Sequence, residues 1–307
     1  MFRIHRSASS GAHRVKRTLA ALSFAAGAAL GVAQPAAAQA APGANGSSSS
    51  VPCAALDAVP STVLDAPFLV FGEVHGTHEV PALVAAYVCA AAKAQRRITL
   101  ALEYPSGEQH ALDAFMASGG KAQDVGRLTG TAFWSRDRQD GRTSAAMLRM
   151  VDSIRTLRAS GADIKVVAID GGGAPAGRDA FMAGKLRTEL DGGADRQLLL
   201  LIGGLHAVRT KGNRFNPHYE SAVYLLADKR PLALTVGTSG GTAWVCQGPT
   251  PASCRATNWD INRVSPAPQT AFSLVPPSSQ FDGVFFVGAT TASPPVQRDA
   301  VQEQLIR

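Results

Sequence analysis

Short, unbroken apolar runs alternate along this chain with longer stretches in which apolar residues recur every third or fourth position. The first pattern suits strands buried on both faces, the second amphipathic helices. Phe68 to Glu73, Ile98 to Glu103, Ile164 to Asp170 and Gln197 to Ile202 read as strands. Between them His78 to Arg96, with Thr77 as N-cap, reads as a helix, as do Gln109 to Ala117, Ala122 to Thr129, Thr143 to Ser160 and Arg178 to Leu190. Thr143 to Ser160 carries the clearest stripe, through Ala146, Met147, Met150, Val151, Ile154 and Leu157, and Gly161 suits its end. The periodicity then weakens. Ser221 to Asp228 reads as a helix, Ala233 to Gly237, Thr242 to Gln247 and Gly283 to Val287 read as strands, and Gly240-Gly241 suits a hairpin turn. This alternation predicts an α/β fold with a mainly parallel central sheet, helices on both faces and a C-terminal β-hairpin region.

The strands end in an unusual way. Phe68-Leu-Val-Phe-Gly-Glu-Val-His75 runs from buried apolar residues into a carboxylate and an imidazole, and Gln197-Leu-Leu-Leu-Leu-Ile-Gly-Gly-Leu-His206 repeats the GxxH ending. Two further strands finish on Glu103 and Asp170. An acid at the tip of a buried strand must be paired, hydrogen-bonded or metal-bound, and the carboxyl ends of parallel strands line the ligand crevice of open α/β sheets. Glu73, His75, Glu103, Asp170 and His206 therefore form the predicted site. In it a histidine beside carboxylates acts as general base toward water, while a second histidine and an arginine steady developing negative charge. The same atoms, Glu73, His75, Glu103 and His206, could instead hold a divalent metal that activates the water itself. Asp170 precedes glycine, which also suits a plain turn.

Composition changes the picture at the N-terminus. Arg3, Arg6, Arg14, Lys16 and Arg17, then an apolar stretch over Leu19 to Ala33, then small residues over Ala36 to Ala40 read as a secretory signal covering residues 1–40. Residues 41–52 read as a flexible linker, and 53–307 as one α/β domain. The leader holds five of the 30 basic residues, so the net charge of +7 falls to +2 after cleavage and a nucleic-acid partner loses its support. The expected location is periplasmic or secreted, with no stable membrane anchor after cleavage. Four cysteines in an exported chain point to disulfides, with three pairings open. Cys246 and Cys254 flank a turn-rich loop, which leaves Cys53 for Cys89.

Other motifs narrow the chemistry. There is no CxxC, no GxSxG, and no phosphate-cradling glycine loop, since Gly171-Gly-Gly runs into proline. Glu79 answers the dipole of the helix that follows it, His78 belongs beside the site or on the surface, and His110 and His218 belong in solvent. The aromatic and charged segment from Thr131 to Arg142 suits a lid or pocket wall, the loop from Thr210 to Tyr219 shapes the same pocket, and Arg178 at a helix start calls for a carboxylate partner or a ligand.

GEVHGTHE at Gly72 to Glu79, LALEYP at Leu100 to Pro105, RDAFMA at Arg178 to Ala183 and GGLHA at Gly203 to Ala207 together resemble the superfamily that joins erythromycin esterases, ChaN-like haem-uptake proteins and the Tiki/TraB group. The esterase branch implies hydrolysis of an ester or lactone by activated water, with His75 as base, Glu73 and Glu103 organising it, and Arg178 with His206 binding charge. GEVH is spaced as in the ChaN and Tiki members, one residue shorter than in the esterases. The ChaN resemblance implies haem or metal binding in the periplasm, and the Tiki resemblance a metal-dependent peptidase. The expectation is an exported hydrolase of a small-molecule or short peptide ester, lactone or amide, with a non-catalytic haem- or metal-binding protein as the alternative.

Overall fold

The computed structural model describes residues 53–296 apart from 55, 57, 58, 173–176, 214, 261 and 276–279. The leader and linker expected over 1–52 lie outside the described residues.

Seven strands form the central sheet in the order β3-β2-β4-β1-β5-β9-β8: β1 is Phe68–Glu73, β2 Ile98–Pro105, β3 Ile164–Asp170, β4 Gln197–Gly203, β5 Leu232–Gly237, β8 Phe272–Leu274 and β9 Gly283–Phe286. All neighbouring pairs are parallel except β8 with β9. Alternate residues of β1 and β4 serve opposite layers, which is why both strands read as apolar throughout. Leu69, Phe71, Leu199 and Leu201 pack toward α2 (Glu79–Lys93), α3 (Gln109–Met116), α4 (Ala122–Thr129) and α5 (Ala145–Ala159). Phe68, Val70, Leu198, Leu200 and Ile202 pack toward α6 (Arg178–Gly192) and the 3₁₀ turn at Tyr224–Lys229. One short helix, α1 (Ser61–Leu64), precedes the sheet. The fold is the mainly parallel α/β arrangement that the pattern predicts. Among the described residues no helix is long and apolar enough to cross a membrane.

Several local expectations change. Thr77 does not cap α2; it bridges Ala292, and the helix starts after His78 without a side-chain cap. Glu79 instead accepts hydrogen bonds from the Thr291 backbone and hydroxyl, pinning the C-terminal segment to the start of α2. Gly240-Gly241 does not close a hairpin, because β5 lies parallel to β1 inside the main sheet while Gly241 bridges Thr290. The hairpin forms one strand later, between β6 (Thr242–Cys246) and β7 (Cys254–Asn258). Cys246 and Cys254 are register partners on it and form a disulfide, and Cys53 joins Cys89 on α2. The expected helix over Ser221 to Asp228 is the 3₁₀ turn.

The Cys53–Cys89 bridge closes a loop across a sequence separation of 36 residues. Replacing both cysteines by alanine is expected to lower the unfolding free energy by about 2–4 kcal/mol through the restored freedom of the unfolded chain. Chemical denaturation of the double variant checks this, and an unchanged midpoint would contradict it.

Candidate functional site

Glu73 ends β1 and sits in register beside Gly203 at the end of β4. Next to them the β2 ladder with β3 slips between Leu102 and Pro105. Glu103 lies within this slip, on the face opposite Leu102 and Tyr104. It turns to the end of β4, where its Oε2 accepts the Gly203 N–H at 2.7 Å. The two GxxH segments thus meet on one rim. A Cβ on Gly203 would lie 3.1 Å from His75 Nε2 and 3.2 Å from Glu103 Oε2, so glycine here gives the imidazole and the carboxylate their room.

His75 lies between two acids. Its Nδ1 is 3.0 Å from Glu73 Oε1 and its Nε2 3.4 Å from Glu103 Oε2. Both carboxylates are buried, whereas the imidazole keeps 21% of its side-chain surface open, enough for a ligand to reach it. Burial pulls the His75 pKa down, but the charges of Glu73 and Glu103 outweigh it and carry it up to about 10. At neutral pH the ring is therefore an imidazolium that donates to both acids. Glu103 is held well below the ordinary carboxylate range: burial opposes this, and His75, Arg142 and His206 overcome it. Glu73 Oε2 is buried and has no hydrogen-bond partner among the described residues.

Arg178 occupies the centre. Its Nε and Nη2 grip Asp170 at 2.9 and 2.6 Å, Nη2 also reaches Glu103 Oε1 at 2.5 Å, and Nη1 donates to His206 Nε2 at 2.9 Å. The carboxylate partner expected for Arg178 is thus two carboxylates. Asp170 does turn the chain, accepting from the Gly172 N–H at 3.2 Å, yet it also anchors both central arginines.

Arg142, Asp140, Asp179 and Tyr219 were not assigned from the sequence. Arg142 donates from Nη1 to Glu103 Oε1 and Asp170 Oδ2 and is clamped behind by Asp140. The Thr131 to Arg142 segment does form pocket wall, with Phe133 and Trp134 buried against Tyr104. Gly141, at φ +92°, lets this segment approach: a Cβ on it would lie 2.5 Å from the Gly76 backbone nitrogen. Asp179, explicable as an ordinary first-turn acid, accepts from His206 Nδ1 at 2.8 Å, from Tyr219 Oη at 2.9 Å and from the Ala222 N–H at 2.8 Å. Consecutive residues at the start of α6 thereby hold both nitrogens of one ring. His78, against Arg149, lines a separate groove between α2 and α5, and His110 and His218 stand outside the site.

This donor set does not fit a divalent ion. Among the described residues no three His, Cys, Asp or Glu side chains cluster in a way that could hold one. Glu103 is taken by cations, both nitrogens of His75 face carboxylates, and His206 Nε2 faces a guanidinium. Each nitrogen of both imidazoles faces a protein partner, Glu73 and Glu103 for His75 and Arg178 and Asp179 for His206, whereas haem iron takes an open one.

Because folding raises the His75 pKa from 6.5 to about 10, the stability from its ion pairs is fully present below pH 6.5 and is lost as pH rises through about 10. The melting temperature is expected to fall across that interval, and to fall less in His75→Gln. Matching slopes for the two proteins would contradict the assignment.

No protein-family model and no curated protein matches this sequence. Solved structures do. A mutant of the erythromycin esterase EreC in its open conformation aligns with a TM-score of 0.57 at 12% identity, covering 77% of this chain and 94% of that one. A protein from Bacillus cereus aligns with a TM-score of 0.52 at 12% identity, covering 75% and 90%. Both likenesses show the fold, a mainly parallel α/β sheet whose strand ends here carry the charged site.

Proposed function

We propose that the chain hydrolyses an ester, lactone or amide, with Glu73 as base and His75 as proton donor. The observation that carries this is the buried Oε2 of Glu73, without a hydrogen-bond partner among the described residues, beside a His75 ring braced by a carboxylate on each side. Glu73 takes a proton from water as the water oxygen attacks the carbonyl carbon. The carbonyl oxygen becomes an oxyanion, which the His75 and Arg178 charges stabilise. The carbon–oxygen or carbon–nitrogen bond then breaks, His75 gives its Nε2 proton to the leaving group while Nδ1–H stays on Glu73, and solvent then takes the proton from Glu73 and restores the one at His75 Nε2. This differs from the base role that the esterase resemblance implies for His75: an imidazole held at about 10 is an acid at neutral pH, not a free base.

The motif resemblance and the fold likeness to an erythromycin esterase support the hydrolase reading. The disulfides Cys53–Cys89 and Cys246–Cys254 support an oxidising location, so we read residues 1–40 as a cleaved leader and the site as periplasmic or secreted. Panels of esters, lactones and amides assayed with wild type and His75→Ala test the activity. Expected is turnover on at least one class, reduced roughly 10²–10⁴-fold by the substitution. No turnover together with a Soret shift on adding haem would favour the ChaN-like binder, and turnover abolished by chelators would contradict a metal-free mechanism.

A further inference from the structure

The cavity above these groups encloses about 740 Å³, the size of a drug-like ligand. Its floor is charged, but much of its wall is not. Val74, Val208, Trp259 and Phe281 line it, and Leu205 and Phe215 stand at its edge 51% and 70% exposed. Large apolar side chains left open beside a cavity mark a surface that a ligand covers.

The charges of the floor cancel locally. Glu73 and Glu103 face His75, Arg178 and Arg142 share Asp170 and Glu103, and Asp140 takes Arg142 and Arg136. Arg138, which lines the same cavity, breaks the pattern. Its Nε is held by the Gly248 carbonyl at 3.0 Å, and no carboxylate pairs with its guanidinium among the described residues. Its neighbour Asp137 lines a different depression, beside Trp244 and Pro295. Among the described lining residues Arg138 is thus a backbone-anchored cation without a carboxylate partner, in a cavity that also has an apolar wall.

We propose that the site takes an amphiphilic monoanion, an ester or lactone whose hydrocarbon body lies along the Leu205, Phe215 and Trp259 wall and whose carboxylate or sulfate end meets Arg138. The scissile bond rests on the hydrolytic reading above; the preference for an anionic amphiphile does not. Binding is therefore measured without turnover, by tryptophan fluorescence, using decanoate, decanol and decyltrimethylammonium below their aggregation limits. Decanoate is expected to bind about twofold to fivefold more tightly than decanol, the scale of one exposed charge pair. Each added methylene is expected to tighten binding by up to about fourfold. Arg138→Gln is expected to erase the anion preference and keep the chain-length dependence, and Arg138→Glu to shift the preference toward the ammonium.

Equal affinity for the three probes, or an anion preference unchanged in Arg138→Gln, would overturn the proposal. An Arg138-dependent preference in a protein that hydrolyses no ester would sink the hydrolytic reading alone. Turnover without that preference would sink the substrate class alone.

Discussion

Arg178→Met is expected to lower the unfolding free energy by about 3–5 kcal/mol, the scale of a buried ion pair stripped of one partner. The Glu103 and Asp170 side chains keep only 4% and 3% of their surface exposed, and Arg178 bonds to both. Methionine fills much of the volume but donates nothing, so two carboxylates remain near each other with Arg142 facing both and His75 facing Glu103. Arg142 spares part of the loss, which places the expectation toward the lower end of the range. Both acids lie below their ordinary pKa in the intact site, against the effect of burial, because of the cations around them. In the variant they protonate more readily, so the deficit relative to wild type is expected to shrink as pH falls. Arg178→Lys restores a charge without the fork and is expected to recover only part of the loss. Denaturant unfolding at two pH values measures all three outcomes, and a deficit under about 1 kcal/mol would mean that solvent screens the cluster.

Glu73→Gln is expected to lower kcat by roughly 10²–10⁴-fold, as the loss of a general base requires, and to lower the melting temperature at neutral pH, because one of the two charges paired with His75 is gone. The amide keeps the shape at the end of β1 and can still accept from His75 Nδ1, but it cannot take a proton from water. It also removes one of the two charges that hold His75 up, so the His75 pKa is expected to drop. A variant that retains wild-type kcat would remove Glu73 from the chemistry and leave it as a brace for the ring.

What the sequence makes legible here follows from regular structure. β1 and β4 are continuous apolar runs, and their pairing sets Glu73 against Gly203, so a repeated GxxH in the sequence becomes one rim in the fold. Arg178 at a helix start, where the dipole disfavours a cation, signalled its partners in the same way. Asp170 and Asp179 were harder because each has a sufficient local explanation, a turn before glycine and a first-turn acid. Local sufficiency hid their second contacts, with the central arginines and with His206. Arg142 and Tyr219 come from loops without periodicity, so their approach depends on tertiary packing such as the Gly76 and Gly141 contact. The slip in β2 around Glu103 leaves no mark in the apolar pattern. The same is true of the hairpin: Gly240-Gly241 has the right residues for a turn, and pairing decided otherwise.

The pH dependence of kcat/KM on the best ester of the panel, corrected for spontaneous hydrolysis, tests the division of labour between Glu73 and His75 most directly. With Glu73 as base and a protonated His75 as donor, enzyme-dependent turnover should hold through neutral pH and decline as His75 loses its proton near pH 10. Turnover that instead climbs through that pH would make the neutral imidazole the base and contradict the account.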